Sequence, residues 1–311
     1  MICWTVTDGR AGIEAQALGL AEAIARRLPL DVVTKRIAVR APQRNWPRAL
    51  WGDPFALLDA DSDALSPPWP DLWIGCGRLS IPFAIAVKTL APNSYVVQLQ
   101  NPRAPLKAFD LVIAPSHDRL SGENVFSTIG SPNRIDGATL RAPIVPGLAP
   151  VAVLIGGPNK AFAFDASDAA ALAERLAALS MPLDITLSRR TPHEATSVLR
   201  EKLGLFAVRF YDPSQGGANP YPAMLATARA ILVTKDSVNM AAEAASTGRP
   251  VYILPMRRKP FASARKLDEF HDDLRARGAA RDFAGGIESF EYDPLDETGR
   301  AAEEVIRRWR G

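Results

Sequence analysis

Short apolar runs recur along the chain, and amphipathic stretches separate several of them. The first half offers strand candidates at residues 2–7, 32–39, 72–75, 95–99 and 111–114, with a weaker one at 125–129. The second half offers 151–155, 184–187, 206–211, 231–234 and 251–254. In the first amphipathic stretch Ile13, Ala17, Leu20, Ile24 and Leu28 fall on one helical face; in a second, Leu172, Leu176 and Leu179 do. A third runs over 298–310, with Ala301, Val305, Ile306 and Trp309 as its apolar side. Strand-then-helix repetition predicts parallel sheets built by right-handed crossovers.

The two halves read as two copies of one plan. Each begins with an apolar strand that ends in a glycine-bearing loop before a helix: Thr7-Asp8-Gly9-Arg10-Ala11-Gly12 in one, Ile155-Gly156-Gly157-Pro158-Asn159-Lys160 in the other. Between them, residues 141–150 carry three prolines besides a glycine and read as a linker. The expected domains are therefore 1–142 and 151–297. Helix 298–311 follows, and whether it packs back on the first domain stays open.

The chain has 311 residues, enough for two domains. Its 47% hydrophobic and 23% charged residues are those of a globular chain. A net charge of +3 is too small to imply nucleic-acid binding through bulk charge. Two cysteines, Cys3 and Cys76, exclude a disulfide scaffold, and three histidines lack metal-ligand spacing. Residues 1–8 show no targeting pattern, and Arg78 interrupts the most apolar stretch, 72–87. A cytoplasmic location with reduced thiols is the expectation.

Open parallel sheets bind ligands beyond the carboxyl ends of their strands, so the strand-end loops carry the candidate chemistry. After the 231–234 strand come Thr234-Lys235-Asp236-Ser237-Val238-Asn239, with a helix starting near Ser237. A helix start suits a phosphate, Thr234, Ser237 and Asn239 offer hydrogen bonds, and Lys235 offers charge. Glu243, two turns on, is placed to reach a ribose hydroxyl. The alternative is that Asp236 or Ser237 is simply the N-cap, and Asp236 itself would repel a phosphate. Gly156 and Gly157 permit close backbone approach to a ligand, or merely make a turn. Ser188-Arg189-Arg190 follows the 184–187 strand and can clamp a diphosphate, or form a solvated basic turn. Thr191, Pro192 and Glu194 read as a capping box. Asn219-Pro220-Tyr221 precedes a short helix, where Tyr221 stacks on a ligand or packs.

In the first half, Asp8 and Glu14 open the first helix and are candidate general bases; a cap and a helix-dipole acid are their structural alternatives. His117 beside Asp118 is the one His–acid neighbour at a strand end. Gly75-Cys76-Gly77-Arg78 forms a further strand-end loop, and Gln98, Gln100, Asn101 and Arg103 cluster after the 95–99 strand. Trp46 and Trp51 with Phe55 either pack on the domain or cover an apolar acceptor or a membrane surface.

These stretches together resemble the elongated-mitochondria family, named for a plant mitochondrial-fission factor and widespread in bacteria. The likeness rests on Thr7-Asp8-Gly9 with Gln16 and Gly19-Leu20, Gly77-Arg78, the run from Val97 to Arg103, Phe109-Asp110-Leu111-Val112 with Pro115 and His117-Asp118, Ser188-Arg189-Arg190-Thr191-Pro192, Asn219-Pro220-Tyr221, and the run from Val233 to Met240. The resemblance implies an α/β fold of GT-B type, two Rossmann-like domains with parallel sheets facing a cleft. More distantly, the stretch from Val233 to Pro255 is similar to the donor-binding segment of the bacterial transferase that adds N-acetylglucosamine to the lipid-linked peptidoglycan precursor. By that similarity Glu243 stands where an acid holds the donor ribose, and Gly156-Gly157 matches a glycine loop. Asp236 replaces a small residue there, and no histidine follows the first strand.

What the resemblance implies is a metal-independent glycosyltransferase without a bound cofactor. A nucleotide-diphosphate sugar would be the donor, held by Gly156, Gly157, Ser188, Arg189, Arg190, Asn219, Tyr221, Thr234, Lys235, Ser237, Asn239 and Glu243. The acceptor is an unspecified hydroxyl, the base one of Asp8, Glu14 and His117. Peripheral contact with the inner membrane stays open. The alternatives are a nucleotide-sugar epimerase and a non-catalytic adaptor of the mitochondrial-fission type.

Overall fold

The computed structural model describes residues 1–47, 50–135, 140 and 149–311. In chain order its main elements are β1 (Ile2–Thr7), α1 (Ala11–Ala25), β2 (Asp31–Arg36), β3 (Leu72–Cys76), α2 (Ser80–Leu90), β4 (Tyr95–Leu99), β5 (Leu111–Pro115) and β6 (Val125–Thr128). There follow β7 (Val151–Ile155), α3 (Ala166–Ala177), β8 (Leu183–Leu187), α4 (His193–Leu203), β9 (Ala207–Tyr211), α5 (Tyr221–Thr227), β10 (Ala230–Thr234), α6 (Val238–Ala245), β11 (Val251–Leu254), α7 (Arg265–Ala276), β12 (Ala280–Asp282) and α8 (Glu297–Arg310).

The residues fall into two compact units. One comprises Met1–Arg134 with Asp296–Gly311, the other Ile135–Leu295. The proline-rich stretch at 141–150 lies outside the described residues except for Ala149 and Pro150.

In the first unit a six-stranded parallel sheet runs β2-β1-β3-β4-β5-β6. One face packs Ala17, Leu20 and Ile24 of α1 and Ala301, Ala302 and Val305 of α8 over Cys3, Ile74 and Val97. The other face is aromatic: Trp4, Trp73 and Phe83 are buried there, and Trp51 meets Phe83 edge-on at 6.4 Å between ring centres. Trp51 thus belongs to the core, whereas Trp46 remains 42% exposed. Gly19 lets the chain at Asn133 cross α1 closely, since a Cβ there would lie 2.2 Å from the Asn133 carbonyl oxygen. Asn133 is tied in turn to α8, its amide donating to the Thr298 hydroxyl at 2.9 Å.

In the second unit the parallel order is β12-β11-β10-β7-β8-β9. Counted from β7 this is the 3-2-1-4-5-6 order of the doubly wound dinucleotide folds. Its strands β7, β8, β10 and β11 are buried at every position; β7 and β11 read as unbroken apolar runs, whereas β8 buries Asp184 paired with Arg209 of β9.

The run at 32–39 stops being strand at Arg36. Val39 instead makes an isolated antiparallel bridge with Leu58, so the chain has already turned off the sheet edge. Three elements had no counterpart among the sequence expectations: α2, α7 and β12.

Candidate functional site

In an open parallel sheet the ligand crevice lies where the strand order reverses. In the second unit that point is between β7 and β10, which are hydrogen-bonded neighbours with connections leaving to opposite sides. The loops after them hold Gly156-Gly157 and Thr234–Ser237.

The centre of this corner is Asp236, whose side chain has no solvent exposure. Its carboxylate accepts from the Gly157 amide at 3.1 Å, from the Thr234 hydroxyl at 2.7 Å and from the Arg190 guanidinium at 2.6 Å. Gly156 donates to Thr234 Oγ1 at 2.7 Å. Arg190 also donates to the Gly157 carbonyl oxygen at 3.1 Å. The glycines are obligatory: a Cβ at Gly156 would sit 2.2 Å from both Asp236 carboxylate oxygens, and one at Gly157 2.3 Å from the Arg190 carbonyl oxygen. The glycine loop therefore cradles an anion, and the chain supplies that anion itself.

Thr191 corrects a sequence expectation. Helix α4 is preceded by Pro192 as N-cap and has no side-chain cap. The Thr191 hydroxyl donates instead to the Gly156 carbonyl oxygen at 2.6 Å and shares a 3.2 Å contact with Ser188 Oγ. Ser188 Oγ also accepts from the Arg190 amide at 3.1 Å. This turn locks the end of β8 to the end of β7. Arg189, next in the chain, is exposed and makes no ion pair among the described residues.

At the start of α6, Ser237 is the N-cap, its hydroxyl accepting from the Met240 amide at 3.3 Å. Asn239 is half-buried on the first turn. Lys235 turns away to Asp268 of α7 at 2.8 Å, where Arg258 also pairs at 2.6 Å. One helix turn beyond Asn239, Glu243 accepts from the Tyr221 hydroxyl at 2.6 Å. Burial pushes the Glu243 carboxyl up to about 7, against a smaller opposing pull from Tyr221. Asn219 fixes Tyr221 by accepting its amide at 3.0 Å. The predicted donor residues thus form two clusters at one end of the sheet. Gly156, Gly157, Arg190 and Thr234 surround Asp236, with Ser188 bracing the Arg190 amide behind them; Asn219, Tyr221 and Glu243 form the other.

In the first unit the order reverses between β1 and β3. Asp8 and Gly77 meet there: a Cβ on Gly77 would lie 3.9 Å from Asp8 Oδ2. Asp8 pairs with the exposed Arg10 at 2.7 Å. Glu14, on the first turn of α1, is held bidentately by Arg36, with both contacts at 2.8 Å. His117 is buried in a short turn after β5. Since β3 and β4 stand between β1 and β5, and strands lie about 4.8 Å apart, His117 is about 14 Å along the sheet from the Asp8 corner. Asp8 stands at the β1–β3 reversal, Glu14 is turned to Arg36 at the end of β2, and His117 lies apart from both.

Next to Gly77, a hollow of about 430 Å³ opens beyond β3 and β4. Gly77, Arg78, Gln98, Gln100, Asn101 and Arg103 contribute to it. Its far wall is fastened by Gln100, which donates to Gln16 Oε1 on α1 at 2.9 Å. The polar cluster after β4 was legible in the sequence, but its cavity depends on α2.

Two doubly wound units, each with its polar loops at a strand-order reversal, define a GT-B type α/β protein, and solved structures agree on that fold. The UDP-GlcNAc 2-epimerase of Methanocaldococcus jannaschii, in complex with UDP-GlcNAc and UDP, matches at TM-score 0.54 and 12% identity, covering 99% of both chains. That of Neisseria meningitidis, bound to UDP-GlcNAc, matches at 0.52 and 12%, again over 99% of both. The glycotransferase of kitacinnamycin matches at 0.50 and 13%, over 100% of this chain and 93% of its own.

Within that class the chain belongs to the mitochondrial fission ELM1 family, whose sequence profile matches residues 11–309. The mitochondrial fission protein ELM1 of Arabidopsis thaliana is 33% identical over 278 aligned positions, which cover 76% of this chain but only 64% of the plant protein. An uncharacterized protein of Rickettsia prowazekii is 28% identical over 97% of both chains. Among the described residues no helix is long and apolar enough to cross a membrane.

Proposed function

We propose that the protein is a glycosyltransferase that moves a sugar from a nucleotide-diphosphate donor to a hydroxyl acceptor. The observation that carries this reading is the polar corner at the strand-order reversal of the second unit. There the glycine loop, the start of α6 and the Glu243–Tyr221 pair stand at one end of the sheet. The ligand-bound epimerases named above share this fold, which supports a nucleotide sugar as the ligand class.

In this reading the ribose hydroxyls meet Glu243. A carboxyl that titrates near neutrality both donates and accepts hydrogen bonds there. The diphosphate lies at the first turn of α6, where helix-end amides and the exposed Arg189 stabilise the negative charge that grows on the leaving group. No metal or resident cofactor is assigned a role in this step. Asp236 already fills the glycine cradle, so the phosphates sit outside it. The acceptor oxygen forms a bond to the anomeric carbon as the bond to the diphosphate oxygen breaks. A general base takes the hydroxyl proton, and the electron pair leaves with the nucleotide diphosphate. Of the candidate bases, Glu14 is committed to Arg36, while Asp8 pairs with the exposed Arg10.

Calorimetry of the folded protein against a panel of nucleotide-diphosphate sugars tests the donor site. Binding that Glu243→Gln or Arg189→Ala weakens supports it; no binding of any member rejects it. Release of an epimerised nucleotide sugar without any acceptor would replace transfer by epimerisation.

A further inference from the structure

The polar hollow of the first unit does not end at its own wall. A second hollow, also about 430 Å³, adjoins it, and Ile81 and Arg103 line both. The two differ in chemistry. The first is faced by side-chain amides and two arginines; the second by Trp51, Pro54, Ile81, Ile85 and Ala86. No carboxylate lines either one, and Arg78 makes no ion pair among the described residues.

Helix α2 is the reason for this division. Phe83, Ala84 and Val87 point into the sheet and are fully buried. Ile85 and Ala86 are only partly covered, and they face the second hollow. The helix therefore carries two apolar faces, of which the sheet covers one. On the polar side, Gln100 and Arg103 hold positive φ values of 67° and 48°, a conformation that costs a side-chain-bearing residue about 1 kcal/mol or more. Those two residues form part of the polar wall.

We propose that the joined hollows bind one molecule of an anionic amphiphile. Its negatively charged head lies between Arg78 and Arg103 beside the amides of Gln98, Gln100 and Asn101, and its apolar chain lies along α2 against Trp51, Ile85 and Ala86. The Arg78 guanidinium, in a lining without carboxylates, selects an anion, and the continuity through Ile81 and Arg103 requires head and chain to belong to one molecule. Because the apolar groups line a cavity and do not project, a single chain is bound and not a bilayer surface. The assignment of this molecule as acceptor rests on the transferase reading; its binding does not.

The full chain is titrated by calorimetry with decyl phosphate below its micelle concentration. Butyl phosphate (same head, short chain) and decyl glucoside (same chain, uncharged head) are the controls. Decyl phosphate is expected to bind about tenfold or more tighter than either, since buried methylenes and the charged head both contribute. Ala86→Phe, which fills the apolar hollow, should weaken decyl phosphate by about tenfold and leave butyl phosphate unchanged. Arg78→Gln should weaken decyl phosphate and leave decyl glucoside unchanged. Equal affinity for decyl and butyl phosphate, or binding that survives Ala86→Phe, overturns the proposal. So does pelleting with phosphatidylglycerol vesicles without saturable decyl phosphate binding. Nucleotide-sugar calorimetry on the same preparation separates the two readings. Donor binding without amphiphile binding sinks this inference alone; amphiphile binding without donor binding supports the hollow and sinks the transferase.

Discussion

Arg189 and Arg190 are neighbours in sequence with opposite fates. Arg190 closes the hydrogen-bond set of a carboxylate that water cannot reach, while Arg189 stands in solvent. Arg190→Ala would leave Asp236 buried with only the Gly157 amide and the Thr234 hydroxyl. A loss of about 2–4 kcal/mol in urea unfolding is expected, somewhat below a fully buried pair because Arg190 is itself half exposed. Arg189→Ala should change stability by less than about 0.5 kcal/mol and, in the proposed reading, weaken donor binding. Glu243 makes a pH-dependent prediction. Its carboxyl is raised from 4.5 to about 7, so the native state holds a proton that the unfolded state has lost across that window. Stability should therefore fall as pH rises from about 4.5 to 7, by at most roughly 3.5 kcal/mol at about 1.4 kcal/mol per pH unit. Glu243→Gln should flatten this slope, and Tyr221→Phe, which removes the hydrogen bond that favours the charged form, should move the midpoint upward. Urea titrations at a series of pH values read both effects.

At the scale of elements, what was legible followed from periodicity. Helices α1, α3 and α8 each bury one stripe, so residues such as Leu20, Leu172 and Val305 announced them. Helix α2 was not legible because it is apolar on two sides and merges with β3 into one run. Helix α7 buries only Phe270, His271 and Leu274 on an otherwise charged surface, and β12 is three residues long. Thr191 matched a local capping pattern, but the neighbouring Gly156 carbonyl claimed its hydroxyl; only the fold brings that oxygen close. The same limit applies to the site. The glycine loop and the arginines could be read, but that Asp236 would occupy the cradle needed the register of β7 beside β10. The contact of α1 with the Asn133 segment yields a further test. Gly19→Ala pushes a methyl group into a backbone carbonyl that Thr298 holds in place, so a loss of about 1–3 kcal/mol is expected by thermal unfolding.

The whole molecule is two folding units, and one of them is discontinuous in sequence. A fragment spanning residues 149–295 contains all of the second sheet and its core, and is expected to unfold cooperatively in urea on its own. Removal of residues 296–311 should do the reverse, leaving that unit intact while the first loses its transition, because Ala17, Leu20 and Ile24 lose their cover from α8. Far-UV circular dichroism of the two fragments reads both outcomes. The return of α8 also sets a timetable. On the ribosome, residues 1–134 emerge ahead of the second unit, yet the helix that seals them follows about 160 residues later. At about 5–20 residues per second, the half-built amino-terminal unit carries a bare greasy flank for some 10–30 s. The helix made after the second unit is thus what lets the first unit finish, and a nascent chain stalled before that point would be a natural client for a holdase.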